Sequence, residues 1–214
     1  MSAFRSALDV LRRARRPYIV LNLVYYGLVV CGMVYTTFDQ SLQQTLREAV
    51  LAAFSDGGPL APVLGAYTTG QVLLAIAATF GINLVAATLL VITLPSLIIP
   101  FSGLLLTGLR ALVWGALFAP QITGQIEGKE VLAWGLFLIL LFLEGEGYVL
   151  AALGAYLHGR AFLWPRRVGL TGPGQGYLYG LKEQARVYLW VVVVLLIAAI
   201  YEVWVAVVTL PALQ

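Results

Sequence analysis

Apolar positions in this chain fall into long unbroken runs rather than stripes. Residues 18–35 carry no charged side chain and are long enough to span roughly 30 Å of hydrocarbon as a helix. Further runs cover 71–93, 102–118 and about 187–210. The run at 131–164 is too long for one straight crossing and too short for two comfortable ones. Glu144-Gly145-Glu146-Gly147 interrupts it, which predicts either one long tilted helix with a kink or two half-helices meeting at membrane depth.

The segments between the runs read differently. Within 36–70, Leu42, Leu46, Val50 and Phe54 recur every four residues among Gln43, Gln44, Arg47 and Glu48, which predicts a short amphipathic helix on the outer interface. Asp56-Gly57-Gly58-Pro59 breaks it. Pro95 and Pro100 predict a kink or turn within 94–101. A loop is expected at 119–130, with Gly124, Glu127, Gly128, Lys129 and Glu130. Gly172-Pro173-Gly174-Gln175-Gly176 lacks the lysine and the strand–helix setting of a phosphate loop and also reads as a loop. The expectation is an all-α polytopic transmembrane bundle of five to six spans, one domain over 1–214.

Composition makes the solvent explicit. The chain is 61% hydrophobic and 11% charged, against about 25% charged in soluble domains, and its mean hydropathy is +0.91. No soluble fold of this size hides so much apolar surface. Charge then orients the bundle. Arg5, Arg12, Arg13, Arg15 and Arg16 precede the first run, and Arg160, Arg166, Arg167, Lys182 and Arg186 lie in 160–186. Five crossings put both clusters on one side, the cytoplasmic one by the positive-inside rule. The basic segment 1–17 is then cytoplasmic, and no cleavage site follows the first run. A multi-pass protein of a prokaryotic inner membrane is expected, its basic segments meeting anionic headgroups. Membrane orientation already accounts for the arginines, so nucleic acid is not an expected partner.

Few side chains carry chemistry at depth. Arg110, Glu144 and Glu146 lie inside apolar runs, where each charge costs at least ~2.5–3.5 kcal/mol. With Asn83 they are expected to form a buried polar cluster near mid-depth, an Arg–carboxylate pair with one carboxylate in excess. That excess either pins helix register or marks an ion, proton or substrate site. Glu202 is placed nearer the outer end, at the interface. Gly103, Thr107, Ala111 and Gly115, and again Ala151, Ala155 and Gly159, are spaced by four and form helix-packing ridges. Cys31, the only cysteine, reads as a small core residue, and neither a disulfide within the chain nor a metal site is expected. His158, the only histidine, reads as interfacial, with axial ligation of a haem or chlorophyll as the lesser alternative; no other cofactor is expected. No Asp lies within a span, and no nucleophile elbow or dinucleotide fingerprint is present, so an enzyme is not expected.

Two stretches carry a family resemblance. Phe80-Gly-Ile-Asn83 is followed by an apolar run, Pro100, Gly103 and then Arg110 to Gly115; the second stretch is Glu144-Gly-Glu146-Gly-Tyr-Val-Leu-Ala-Ala-Leu-Gly154. Together they resemble the core of the stage II sporulation protein M family, which has an Asn-bearing helix, a Gly-rich helix and a Glu-x-x-Ala-x-x-x-Ala-Gly stretch. Glu146 and Gly154 match the outer spacing of that stretch, while Leu143-Glu144-Gly145 stands where the family carries His-Gly. The resemblance implies a membrane-remodelling or transport-like role. The alternative is a non-catalytic accessory subunit of a respiratory or photosynthetic complex, contacting other membrane subunits, pigments or lipids, or a homo-oligomer.

Overall fold

The computed structural model describes residues 2–120 and 128–209. Every regular element among them is helical. The elements are α1 (Ser2–Arg13), α2 (Arg15–Phe38), α3 (Gln40–Phe54), α4 (Ala61–Thr68), α5 (Val72–Gly81), α6 (Leu94–Ile98), α7 (Ser102–Leu117), α8 (Gly128–Leu163) and α9 (Pro173–Trp204). A π-helical stretch, Ile82–Thr93, joins α5 to α6 without a break, and a second, Val205–Thr209, extends α9. Most of the expected loop at 119–130 lies outside the described residues, and 128–130 already belong to α8.

Four segments are long and apolar enough to cross a membrane: Arg15–Phe38, Val72–Ile98, Leu132–Leu163 and Pro173–Val207. α7 has 16 residues, about 24 Å at 1.5 Å per residue, and connects the same two ends of the bundle. The chain is therefore a multi-pass membrane protein with an all-α fold.

Both basic segments meet at one end. Ala7 and Val10 form the buried stripe of α1, continued by Ala14 just beyond it, and α1 packs on α9. From there Arg13 donates to Glu183 at 3.2 Å, and Glu183 is also paired with Arg186. The opposite end is capped by α3 and α4. Gln43 of α3 donates to the carbonyls of Leu117 (3.3 Å) and Ala119 (2.8 Å), satisfying acceptors that the end of α7 leaves open. The segment 36–70 thus holds two short helices rather than one. Asp39 caps α3 by accepting from the Leu42 amide at 3.2 Å. The Ser41 hydroxyl and that amide hold the Asp39 carboxyl below the usual carboxylate range.

Several elements depart from the sequence expectation. Of the two alternatives for 131–164 the structure takes the single long helix: α8 runs through Glu144–Gly147 without dividing into two half-helices. Gly145 and Gly147 are buried against the Tyr25 and Tyr26 rings and Leu195, so these glycines serve close approach rather than a break. α9 begins at Pro173, which makes most of the expected loop 160–186 helical. Gly172 is extended as the N-cap and Pro173 supplies the fixed φ of a first turn. A Cβ at Gly176 would strike the Ala161 carbonyl, and one at Gly180 the His158 backbone. Gly176 and Gly180 are therefore α8–α9 packing positions, while a Cβ at Gly172 or Gly174 would meet open space. The turn expected within 94–101 is present at 99–101, where Phe101 adopts φ 68°, while Pro95 sits in the first turn of α6 without ending the helix.

The core is centred on α8, whose residues 147–155 are all buried. Gly103, Ala111 and Gly115 are buried on α7. Gly115 lies against the Val29 carbonyl and Gly32 against the Leu112 carbonyl, so α2 and α7 touch backbone to backbone. Ala151 and Ala155 are fully buried, and Gly159 meets the Phe101 ring. Cys31 is exposed, on the face of α2 turned away from the bundle, and is not a core residue. In lipid an outward face is as apolar as an inward one, so the run at 18–35 did not reveal which was which.

Candidate functional site

The buried polar residues are joined by a directional relay. Arg110 projects from α7 and its Nη2 donates to the Tyr148 hydroxyl of α8 at 2.8 Å. The Tyr148 hydroxyl in turn donates to Asn83 Oδ1 at 2.7 Å, and Asn83 Nδ2 donates to Glu144 Oε1 at 2.7 Å. Each group accepts from one neighbour and donates to the next, so the relay runs from the guanidinium to the carboxylate. No direct Arg110–Glu144 ion pair forms, contrary to the sequence expectation. Tyr148 and Asn83 stand between the two charges and fix the orientation of the Asn83 amide. Hydrogen bonds aligned in this way polarise one another in a low-dielectric interior.

Aromatic rings hold the guanidinium in place. Its Cζ lies 4.1 Å from the Tyr148 ring centroid and 4.9 Å from that of Trp114. Arg110 Nε is buried without a hydrogen-bond partner. The backbone geometry also suits the site: Asn83 lies at the start of the π-helical stretch, a local widening often found at functional positions.

The relay faces a cavity of about 540 Å³. Asn83, Arg110 and Glu144 line it from α7, α8 and the π-helical stretch, and Val63 and Tyr67 of α4 line it from the capped end. Trp114, Phe118 and Phe137 form an aromatic wall, with ring centroids 4.8 and 4.4 Å apart in sequence. A second carboxylate, Glu202 of α9, also lines the cavity. The Tyr67 hydroxyl donates to Glu202 Oε1 at 3.0 Å, so the 2.7 Å bond between Tyr67 and Thr79 is donated by Thr79. Glu202 thus belongs to the interior site, not to the interface. Its place inside an otherwise uncharged run is the signal that singled out Glu144. Tyr148, Tyr67 and Thr79 carried no such signal, because hydroxyl-bearing residues are unremarkable in an apolar run.

Glu146 is separate from this site. Two residues beyond Glu144, it points about 200° around the helix. It accepts from Tyr18 at 2.6 Å and Tyr26 at 3.4 Å and lines an open groove between α2 and α8. The expected four-residue cluster is therefore three residues plus one elsewhere.

His158 is fully buried, not interfacial. Tyr177 meets its ring edge-on with centroids 4.6 Å apart, and Phe162 lies beyond. The Ser96 backbone is nearby, yet neither ring nitrogen makes a hydrogen bond of ordinary geometry. A haem or chlorophyll would reach this ring only if α8 and α9 separated, so the residues here do not fit axial ligation. Among the described residues, no group of three or more His, Cys, Asp or Glu gathers around a metal position.

Compared with family models, curated proteins and solved structures, the chain matches none, so its site is read from its own geometry alone.

Proposed function

We propose that the chain is a transport-type membrane protein whose solute site is the cavity between the α3–α4 cap and the Asn83–Arg110–Glu144 relay. The observation that carries this reading is the cavity itself, about 540 Å³ within an apolar bundle and lined by two carboxylates and a guanidinium. A volume of this size is typical of small-molecule sites. Ionisable groups at membrane depth are costly, and those kept there usually mark solute or ion paths. The N-terminus and both basic ends face the cytoplasm in this reading, against anionic headgroups, which puts α3 and α4 outside. A transport-like role is also what the resemblance to the stage II sporulation protein M family implies.

The test is flux in reconstituted vesicles, with a proton-sensitive dye and with radiolabelled rubidium, choline and glutamate as probes. Wild type should carry at least one of these, and Glu144→Gln should abolish it while the protein keeps its fold. Wild-type vesicles that carry none of them would sink the reading.

One observation favours the second reading, a subunit of a larger membrane assembly. Glu146 faces a groove of about 770 Å³ on the bilayer side of α2 and α8, with Tyr18, Asn22 and Tyr26 beside it. A partner helix would cover it. A single stoichiometric partner that stays bound in mild detergent and is released by Glu146→Leu would favour the subunit; a stable isolated chain would not.

A further inference from the structure

The lining of the cavity specifies the charge of what it takes. Two carboxyl groups and one guanidinium, those of Glu144, Glu202 and Arg110, line it among the described residues. The guanidinium is already engaged: Tyr148 accepts from it, and the Tyr148 and Trp114 rings flank its plane. The relay delivers its hydrogen-bonding polarity to one carboxylate, Glu144. Glu202 receives only the Tyr67 hydroxyl, and among the described residues no Lys or Arg lies within ion-pair distance of it. Glu202 is therefore a carboxyl group without a cation partner among the described residues, and the described lining carries one more carboxyl group than guanidinium or ammonium groups. Its remaining walls are aliphatic and aromatic, with the Trp114, Phe118 and Phe137 rings packed on one another along one side.

We infer that the cavity binds a monovalent organic cation, an ammonium or phosphonium centre on an apolar body, with Glu202 as its counter-charge and Phe118 and Phe137 against its apolar part. An inorganic cation would leave the aromatic wall unused, and an anion would meet two carboxylates. This assignment rests on the cavity being a solute site and names the class of solute.

The experiment uses two ions of the same shape and opposite charge, tetraphenylphosphonium and tetraphenylborate. Each is titrated calorimetrically into the purified full chain in detergent, with empty micelles as the blank. Tetraphenylphosphonium should bind saturably, and Glu202→Gln should weaken it at least tenfold with thermal unfolding unchanged. Glu144→Gln should also weaken it; because that change touches the relay, Glu202→Gln is the deciding variant. Binding of tetraphenylborate in preference would overturn the assignment, as would cation binding indifferent to Glu202→Gln. Failure of both ions to bind overturns it too. In each failure, the flux of rubidium, choline or glutamate decides separately whether a transport site remains.

Discussion

The two halves of α8 have very different neighbours. From Gly147 to Ala155 every residue is buried, because α2, α7 and α9 close around the helix through glycines and alanines. From Leu132 to Leu140 no residue is buried, and Phe137 and Leu140 line the cavity. One half of the helix is packed to backbone contact and the other leaves room for a solute. The tight half gives the Glu144 relay a fixed base, and the loose half gives it something to face.

Substitutions that exchange the two environments test this contrast. The largest effect is expected for Gly147→Leu in the tight half, whose side chain would be driven into Leu195 of α9. It should cost about 3 kcal/mol, at the upper end for overpacking. The counterpart in the loose half, Gly135→Ala, meets nothing within 4 Å and should stay within about 0.5 kcal/mol of wild type. Unfolding in mixed micelles with increasing denaturing detergent measures both. Equal losses at the two positions would erase the contrast.

Next comes Glu144→Leu, which leaves the Asn83 amide without an acceptor and the relay without its anionic end. A loss of about 1–3 kcal/mol is expected. Glu144→Gln retains an acceptor oxygen and should recover most of that stability while still lacking the charge that the solute site needs. A smaller change is expected at Glu202→Gln, less than about 1 kcal/mol, because Tyr67 keeps an acceptor. If Glu202→Gln unfolds the bundle while Glu144→Leu does not, the roles assigned to the two carboxylates are reversed.

The smallest effect lies at the capped end. The Asp39 carboxyl titrates below its unfolded value, so its contribution to α3 is fully present above the ordinary carboxylate range. It is lost as pH falls through the depressed folded value. Amide exchange at Leu42 and its neighbours should accelerate in that acidic window, and Asp39→Ala should remove the pH dependence.

Much of this was legible in the sequence, and the limits have physical causes. Charge-free run length marks a membrane helix reliably, because every buried backbone group must be satisfied within it. Charges at depth are rare enough that Asn83, Arg110 and Glu144 stood out before their contacts were known. What the sequence withheld was facing. Glu144 and Glu146 look alike in a list of residues, yet one lies in the bundle and the other in a bilayer-side groove. Cys31 and His158 were misplaced for the same reason, since lipid-facing and core positions are equally apolar. Gly176 read as part of a loop by composition but is a close-packing position, a distinction that only the neighbouring Ala161 carbonyl reveals.

The central claim is that polar solutes enter the cavity beneath α4. Val63 lines it and is nearly buried. With Cys31→Ser removing the only native thiol, Val63→Cys offers a single reactive group. Two water-soluble methanethiosulfonates, one carrying a trimethylammonium and the other a sulfonate, can be applied to the folded protein in vesicles. The account predicts that the cationic reagent modifies the cysteine, faster than the anionic one, and that tetraphenylphosphonium slows it. If neither reagent reacts until the protein is unfolded, the cavity is closed to solutes and the account is wrong.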